Sequence, residues 1–346
     1  MRQRLSQMKF LIFTFVTLCV SFTVVAEDPF RTDEGDENLP WFQLVDGEFP
    51  PEGSAHYFSG ELIQVDHLER KFILRVDRTD KQNRSHFDLP VAASMLPYGS
   101  ISYHGSFASL RDIPLGTHLH GWFFVKDPDD KNPPIEGWHN RRSYEIDFTR
   151  CFRLEDDFTY FQKQQHLWRV DSVNLDEMKL TARLQAGDKS ESPKIFDLVP
   201  STRVWKGREV GTLEDIQSDQ NVLFNMTWAT LYGPGRITEI WLDEESRDLA
   251  TSSQRKKHLQ HIRERGIPGI VDAVDNQERI VSVVLFSIVD RELLDELKEG
   301  DTTAIAVARE TLMTYDPVND RKRGPLLSKN IIPVQPGSSG VQVQIR

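Results

Sequence analysis

Val65-Asp66-His67-Leu68-Glu69-Arg70-Lys71 returns as Val173-Asn174-Leu175-Asp176-Glu177-Met178-Lys179, and again, more weakly, as Val274-Asp275-Asn276-Gln277-Glu278-Arg279-Ile280. A second signature follows each copy: Leu110-Arg111-Asp112-Ile113, Leu213-Glu214-Asp215-Ile216 and Leu294-Asp295-Glu296-Leu297. Ordered repetition at this spacing predicts one small fold built several times. Asp or Asn at the second position suits a tight turn, because its short side chain bonds nearby backbone N–H groups. Gly60 to Val65 and Lys71 to Val76 flank the first turn as alternating, β-branched-rich runs. Each copy therefore reads as a β-hairpin.

Working outward, further strands are expected near Arg84 to Leu89, Ser100 to Phe107 and Thr117 to Val125 in the first copy. In the second copy they are expected near Lys194 to Leu198, Arg203 to Trp205, Val222 to Trp228 and Arg236 to Leu242. Many short strands with Gly and Pro turns indicate small antiparallel barrels, since closure removes exposed edges. The predicted class is mainly β: three tandem small antiparallel β-barrel (OB-like) modules joined by short helices, the third degenerate. The boundaries read as a signal peptide (1–26), a disordered acidic leader (27–40), module 1 (41–150) and a connecting helix (151–165). Module 2 (166–245), a second connecting helix (246–266), an incomplete module 3 (267–334) and a flexible tail (335–346) follow. Val341-Gln342-Val343 alternates like an edge strand or part of that tail.

The start of the chain carries Arg2, Arg4 and Lys9 before an apolar run from Phe10 to Val20, then Val24-Val25-Ala26. That is the pattern of an export signal, which places the mature chain in the periplasm or outside the cell. No later stretch is apolar enough to span a bilayer. Residues 1–26 hold three of the basic residues and no acidic one, so the mature chain has 39 basic against 53 acidic residues. So acidic a chain repels phosphate backbones, and no nucleic-acid partner is expected. Of the two cysteines only Cys151 remains after processing, which excludes an internal disulfide. Its place between Phe148 and Phe152 predicts burial.

The hairpin, an Asp-Leu strand end and a Ser-Leu-x-Asp-Ile-x-x-Gly turn are carried by Asp88-Leu89 with Ser109 to Gly116, and by Asp197-Leu198 with Thr212 to Ile216. Over about two thirds of the chain this resembles the small OB-like barrel domains of exported bacterial proteins. The resemblance implies a fold and an envelope location and carries over no catalytic residue.

Chemistry is sparsely signalled. His118 and His120 lie two apart on a predicted strand, so both face one way. With a third ligand such as His104 or His67 they form a candidate metal site; otherwise they are polar residues on a solvated face. His258 and His261, with Glu264, repeat the question on the second helix, where a solvated basic face is the simpler reading. Asp127 to Pro134 resembles a calcium loop but lacks its glycine, and reads as a surface turn. Trp122, Phe124, Tyr103 and Trp138 are candidate ligand-binding aromatics of module 1. No nucleophile elbow, zinc-protease helix, P-loop or dinucleotide fingerprint occurs, and no cofactor is expected. The sequence thus points to a non-enzymatic binding or scaffold protein of the envelope, with a glycan or a protein as partner. Two alternatives stay open: carbohydrate or peptide binding through the module 1 aromatics, and a metal-dependent hydrolase using His118 and His120.

Overall fold

Strand β1 (His56–Asp66) turns back as β2 (Lys71–Val76), and a computed structural model of the chain shows how the rest closes around this hairpin. The structure describes residues 55–77, 90–125, 146–227, 235–306, 322–335 and 337–346, all within the compact unit Phe42–Arg346. The expected signal peptide, acidic leader and calcium-like loop lie outside the described residues, as do Trp138 and the strand at Arg84 to Leu89.

The molecule is mainly β, with two closed barrels and a curled, open third sheet. In the first barrel, β3 (Pro90–Tyr103) pairs with β2; β4 (Ser106–Phe107) folds back on its end; β5 (His118–Val125) pairs with β1; and β6 (Ile146–Asp156) joins β5 to β3. The circuit β1-β2-β3-β6-β5-β1 is closed, with β3 and β6 parallel. Alternate residues of each strand point inward, as the two-residue strand period dictates. Leu62, Phe72, Leu74, Phe123 and Leu154 fill the interior.

Helix α1 (Asp157–Lys163) follows β6 without a loop. The segment 151–156, expected to begin a helix, is the end of β6: Cys151, Leu154 and the residues between continue the barrel ladder. Phe158 and Phe161 of α1 enter the core of the second barrel. That barrel comprises β7 (His166–Asn174), β8 (Lys179–Ala186), β9 (Lys189–Ser190), β10 (Lys194–Asp197), β11 (Arg203–Lys206), β12 (Glu209–Gly211), β13 (Asn221–Thr227) and β14 (Arg236–Trp241). Its circuit β7-β8-β10-β14-β13-β7 follows the connectivity of the first, and β10 and β14 are again parallel. The work of the long β3 is divided here between β10 and β11.

Helix α2 (Glu244–Arg265) leads to the third sheet. It contains β15 (Gly269–Asp275), β16 (Ile280–Phe286), β17 (Thr302–Ile305), β18 (Lys322–Ile331) and β19 (Ser338–Ile345), with helix α3 (Arg291–Glu296) after β16. The order β15-β16-β19-β18-β17 does not close. The C-terminal segment expected as a tail or edge strand is an interior strand: β19 lies between β16 and β18, and its Val341 is fully buried. Its alternation is a buried face because Val341, Val343 and Ile345 pack in the core of this sheet. Leu259 and Ile262 of α2 complete this core.

The three sequence copies are hairpins of one construction. Closing pairs are Asp66–Lys71, Asn174–Lys179 and Asp275–Ile280. In each, the Asp or Asn side chain accepts the backbone N–H three residues on, from Glu69, Glu177 and Glu278. The last turn residue, Arg70, Met178 or Arg279, takes a left-handed conformation. A β-bulge precedes each turn at the same distance, at Ile63, Asp171 and Asp272. The Leu signatures of the first two copies are single 3-10 turns with a capping box from Ser109 or Thr212. The third copy has α3 in that place.

Candidate functional site

The densest polar chemistry lies where the first barrel meets α1 and the second barrel. Strand β5 directs His118 and His120 to one side, as their spacing requires. That side is not solvated: both histidines are about 4 % exposed. Asp157, the first residue of α1, is fully buried beside them. Its Oδ1 lies 2.6 Å from Nδ1 of His118 and 3.0 Å from Nε2 of His120. Its Oδ2 accepts the backbone N–H of Met226 on β13 at 2.9 Å. The other nitrogen of His118, Nε2, lies 2.6 Å from Asp77 Oδ2, which also accepts from the Ser59 hydroxyl at 2.7 Å. The other nitrogen of His120, Nδ1, lies 2.7 Å from the Tyr57 hydroxyl.

These contacts assign the protons. An ionised carboxylate only accepts, so His118, held between two of them, donates from both nitrogens and is an imidazolium. His120 donates from Nε2 to Asp157 and accepts at Nδ1 from Tyr57, a phenol that stays protonated at neutral pH. Electrostatics agree. Burial opposes charge on His118, but Asp157 and Asp77 outweigh it and raise the imidazole well above its ordinary 6.5. Burial likewise opposes charge on Asp157, yet His118 holds its carboxyl down to about 2. His120, for which burial dominates, is pushed below its ordinary value and stays neutral.

A second cluster adjoins the first through Asp156, the N-cap of α1. Asp156 accepts from the backbone N–H and hydroxyl of Thr159, from the backbone N–H of His104 and from the Asn225 amide of β13. The same Asn225 accepts the Phe158 N–H through its Oδ1 at 2.8 Å. Burial raises the Asp156 carboxyl above its ordinary range. His104 occupies the two-residue turn between β3 and β4, where its φ of 51° and the 78° of Gly105 make a primed hairpin turn. A Cβ at Gly105 would lie 2.3 Å from the end of the Gln162 side chain, which would have to move aside. The hairpin tip reaches the second barrel: His104 Nε2 lies 3.2 Å, and the Tyr103 hydroxyl 3.3 Å, from Oε2 of buried Glu239 on β14. Arg203 bonds the other oxygen of Glu239 at 2.9 Å.

Several expectations are thereby corrected. His104 is not the third partner of His118 and His120, because its ring is committed to Glu239. His67 is exposed in the first hairpin turn. Asp157 is the third group, and among the described residues His118, His120 and Asp157 are the one set of potential metal ligands whose atoms all lie within 4.8 Å of one another. His258 and His261 do not lie on a solvated face. Both are buried, where α2 packs on β4 and Phe107. Of the candidate aromatics, Phe124 stacks on Phe152 and is buried, and Tyr103 is buried at the second barrel. Trp122 is half-buried, between the Arg153 guanidinium at 3.9 Å and the ring of Tyr57 at 5.4 Å. Tyr57 is 45 % exposed and, with half-buried Tyr160, extends this aromatic face to His120, on which Tyr160 stacks at 3.8 Å.

Sequence reasoning missed Asp157, Asp77, Tyr57 and Glu239. Asp157 was legible only as part of an acidic helix start, Glu155-Asp156-Asp157. Asp77 lies 41 residues from His118, and no local pattern links them. No protein family, curated protein or solved structure matches the chain.

Proposed function

We propose that this chain is an exported, non-enzymatic binding or scaffold protein of the cell envelope, built from three tandem OB-like modules of which the third is degenerate. The identical circuit of the two barrels, a three-strand meander closed by a parallel pairing of its third and last strands, supports the OB-like likeness. The observation that carries the role is the use made of the buried ionisable groups. Asp156, Asp157 and Glu239 each bond residues of both barrels, so the chemistry at the junction is spent on holding one barrel to the other. A fixed array of barrels suits the display of an extended surface. No helix among the described residues is long and apolar enough to cross a membrane.

The test is a spin-label distance measurement on the purified full chain, with labels at exposed Glu69 and Asp188. A rigid array gives one narrow distance distribution; a broad one removes the scaffold reading. Export is checked separately by N-terminal sequencing of the protein recovered from the periplasm, with Glu27 as the expected first residue.

The aromatic face formed by Tyr57, Trp122 and Tyr160 favours a second reading, recognition of an envelope glycan or peptide. Quenching or enhancement of tryptophan fluorescence by soluble peptidoglycan fragments, lost in Trp122→Ala, is the expected result. An unchanged spectrum at millimolar fragment excludes that glycan.

A further inference from the structure

We propose that His118, His120 and Asp157 form a binding site for one divalent transition ion, zinc being the best fit, which pins β5 of the first barrel to the start of α1. Three observations carry this. First, the three ligand atoms all lie within 4.8 Å of one another, and the side chains come from a strand and the first residue of a helix, not from loops. Two imidazoles and one carboxylate are a donor set that zinc accepts readily.

Second, every ligand is held from behind. Metal-bound histidines characteristically donate their remote N–H to a carboxylate, a carbonyl or another polar group, which fixes ring orientation. His118 has Asp77 in that place, itself held by Ser59. His120 has the Tyr57 hydroxyl, and its ring is clamped by stacking on Tyr160 at an interplanar angle of 6°. The remote oxygen of Asp157 is held by the Met226 N–H.

Third, two of the three ligand-to-ligand distances already lie near the required spacing. Zinc bonds of about 2.0–2.1 Å place tetrahedral ligand atoms roughly 3.3 Å apart. Asp157 Oδ1 is 2.6 Å and 3.0 Å from the two nitrogens, so a retreat of a few tenths of an ångström brings both to that spacing, and the two nitrogens, within 4.8 Å of each other, close on the ion as it binds. The ion replaces the proton on Nδ1 of His118, which passes to solvent. His120 shifts its proton from Nε2 to Nδ1 and then donates to the Tyr57 oxygen. Three protein ligands leave the fourth position to a water.

The experiment uses the purified full chain, dialysed against chelator and titrated with zinc chloride by calorimetry, and in parallel with cobalt chloride in a spectrophotometer. One zinc per chain is expected, together with the visible d–d bands of tetrahedral cobalt. Asp77→Asn keeps all three ligands and is expected to weaken zinc affinity by about 10–100-fold. His120→Ala is expected to abolish stoichiometric uptake. No uptake by the wild-type chain, or equal uptake by wild type and His120→Ala, overturns the site. Because the cobalt spectrum and the wild-type titration need no variant to fold, a misfolded His120→Ala protein does not rescue the proposal.

Discussion

Asp156 and Asp157 are consecutive in the chain, both fully buried, and each hydrogen-bonds the first barrel and the second. Their side chains nonetheless differ in charge economy. Asp157 faces the His118 imidazolium, which holds it ionised, whereas Asp156 meets neutral donors and burial raises its carboxyl. Substitution by Asn is therefore expected to be unequal. Asp157→Asn leaves a buried cation short of a partner and should cost about 3–5 kcal/mol. Asp156→Asn keeps one acceptor oxygen, loses the other to an NH2 that faces donors, and should cost about 1–3 kcal/mol. Urea unfolding in the presence of chelator measures both, and equal losses contradict the assignment.

The interface of α2 with the first barrel is expected to weaken in mild acid. Burial, then Arg111 and Arg265, lower the His261 imidazole to about 4, with Asp112 opposing and His258 adding to the shift. His258 is lowered as well, by burial first, against the weaker pull of Asp112 and Asp290. A histidine depressed in the folded state binds its proton more readily when unfolded. Its favourable neutral burial is complete above about pH 6.5 and is lost as pH falls toward 4. Stability should decline over that window by on the order of 1 kcal/mol for His261. His261→Gln should flatten the pH profile measured by thermal unfolding; an identical slope in the variant rules out this cause.

Cys151 is fully buried and its thiol is pushed up to about 12, by burial first. Only the thiolate attacks a disulfide reagent. With Cys19 replaced by serine, Ellman's reagent at pH 8 is expected to react with Cys151 of the native chain no faster than the chain unfolds, and at once in 6 M guanidinium. Rapid labelling of the native protein contradicts this burial.

Arg255 and Arg263 of α2 grip Asp290, Glu292 and Glu296 around α3. These pairs are largely exposed and screened by solvent, so each arginine is expected to add little to global stability. Arg255→Ala and Arg263→Ala should shorten hydrogen-exchange lifetimes in α3 and leave the barrels unchanged, with the difference vanishing at high salt. A global loss of stability shows instead that α3 is coupled to the whole fold.

The sequence by itself determined the hairpins. Val65 to Lys71 and its two copies carry their turn chemistry locally, in an Asp or Asn that bonds backbone N–H groups within three residues. The capped turns at Ser109 and Thr212, and α2 with its Asp243 cap, are local for the same reason. The mainly β class followed from those signals. Barrel closure, the interior place of β19 and the burial of His258 arise from contacts between segments far apart in the chain, and a strand's own alternation does not say whether both of its edges are paired. The partners of His118 and His120 belong to this second kind. Asp77 and Asp157 lie 41 and 39 residues from His118, and only the folded barrel brings them to the same nitrogen-bearing ring. The pair spacing of His118 and His120 announced a shared face, but tertiary packing decided that this face is buried, charged and joined to the second barrel.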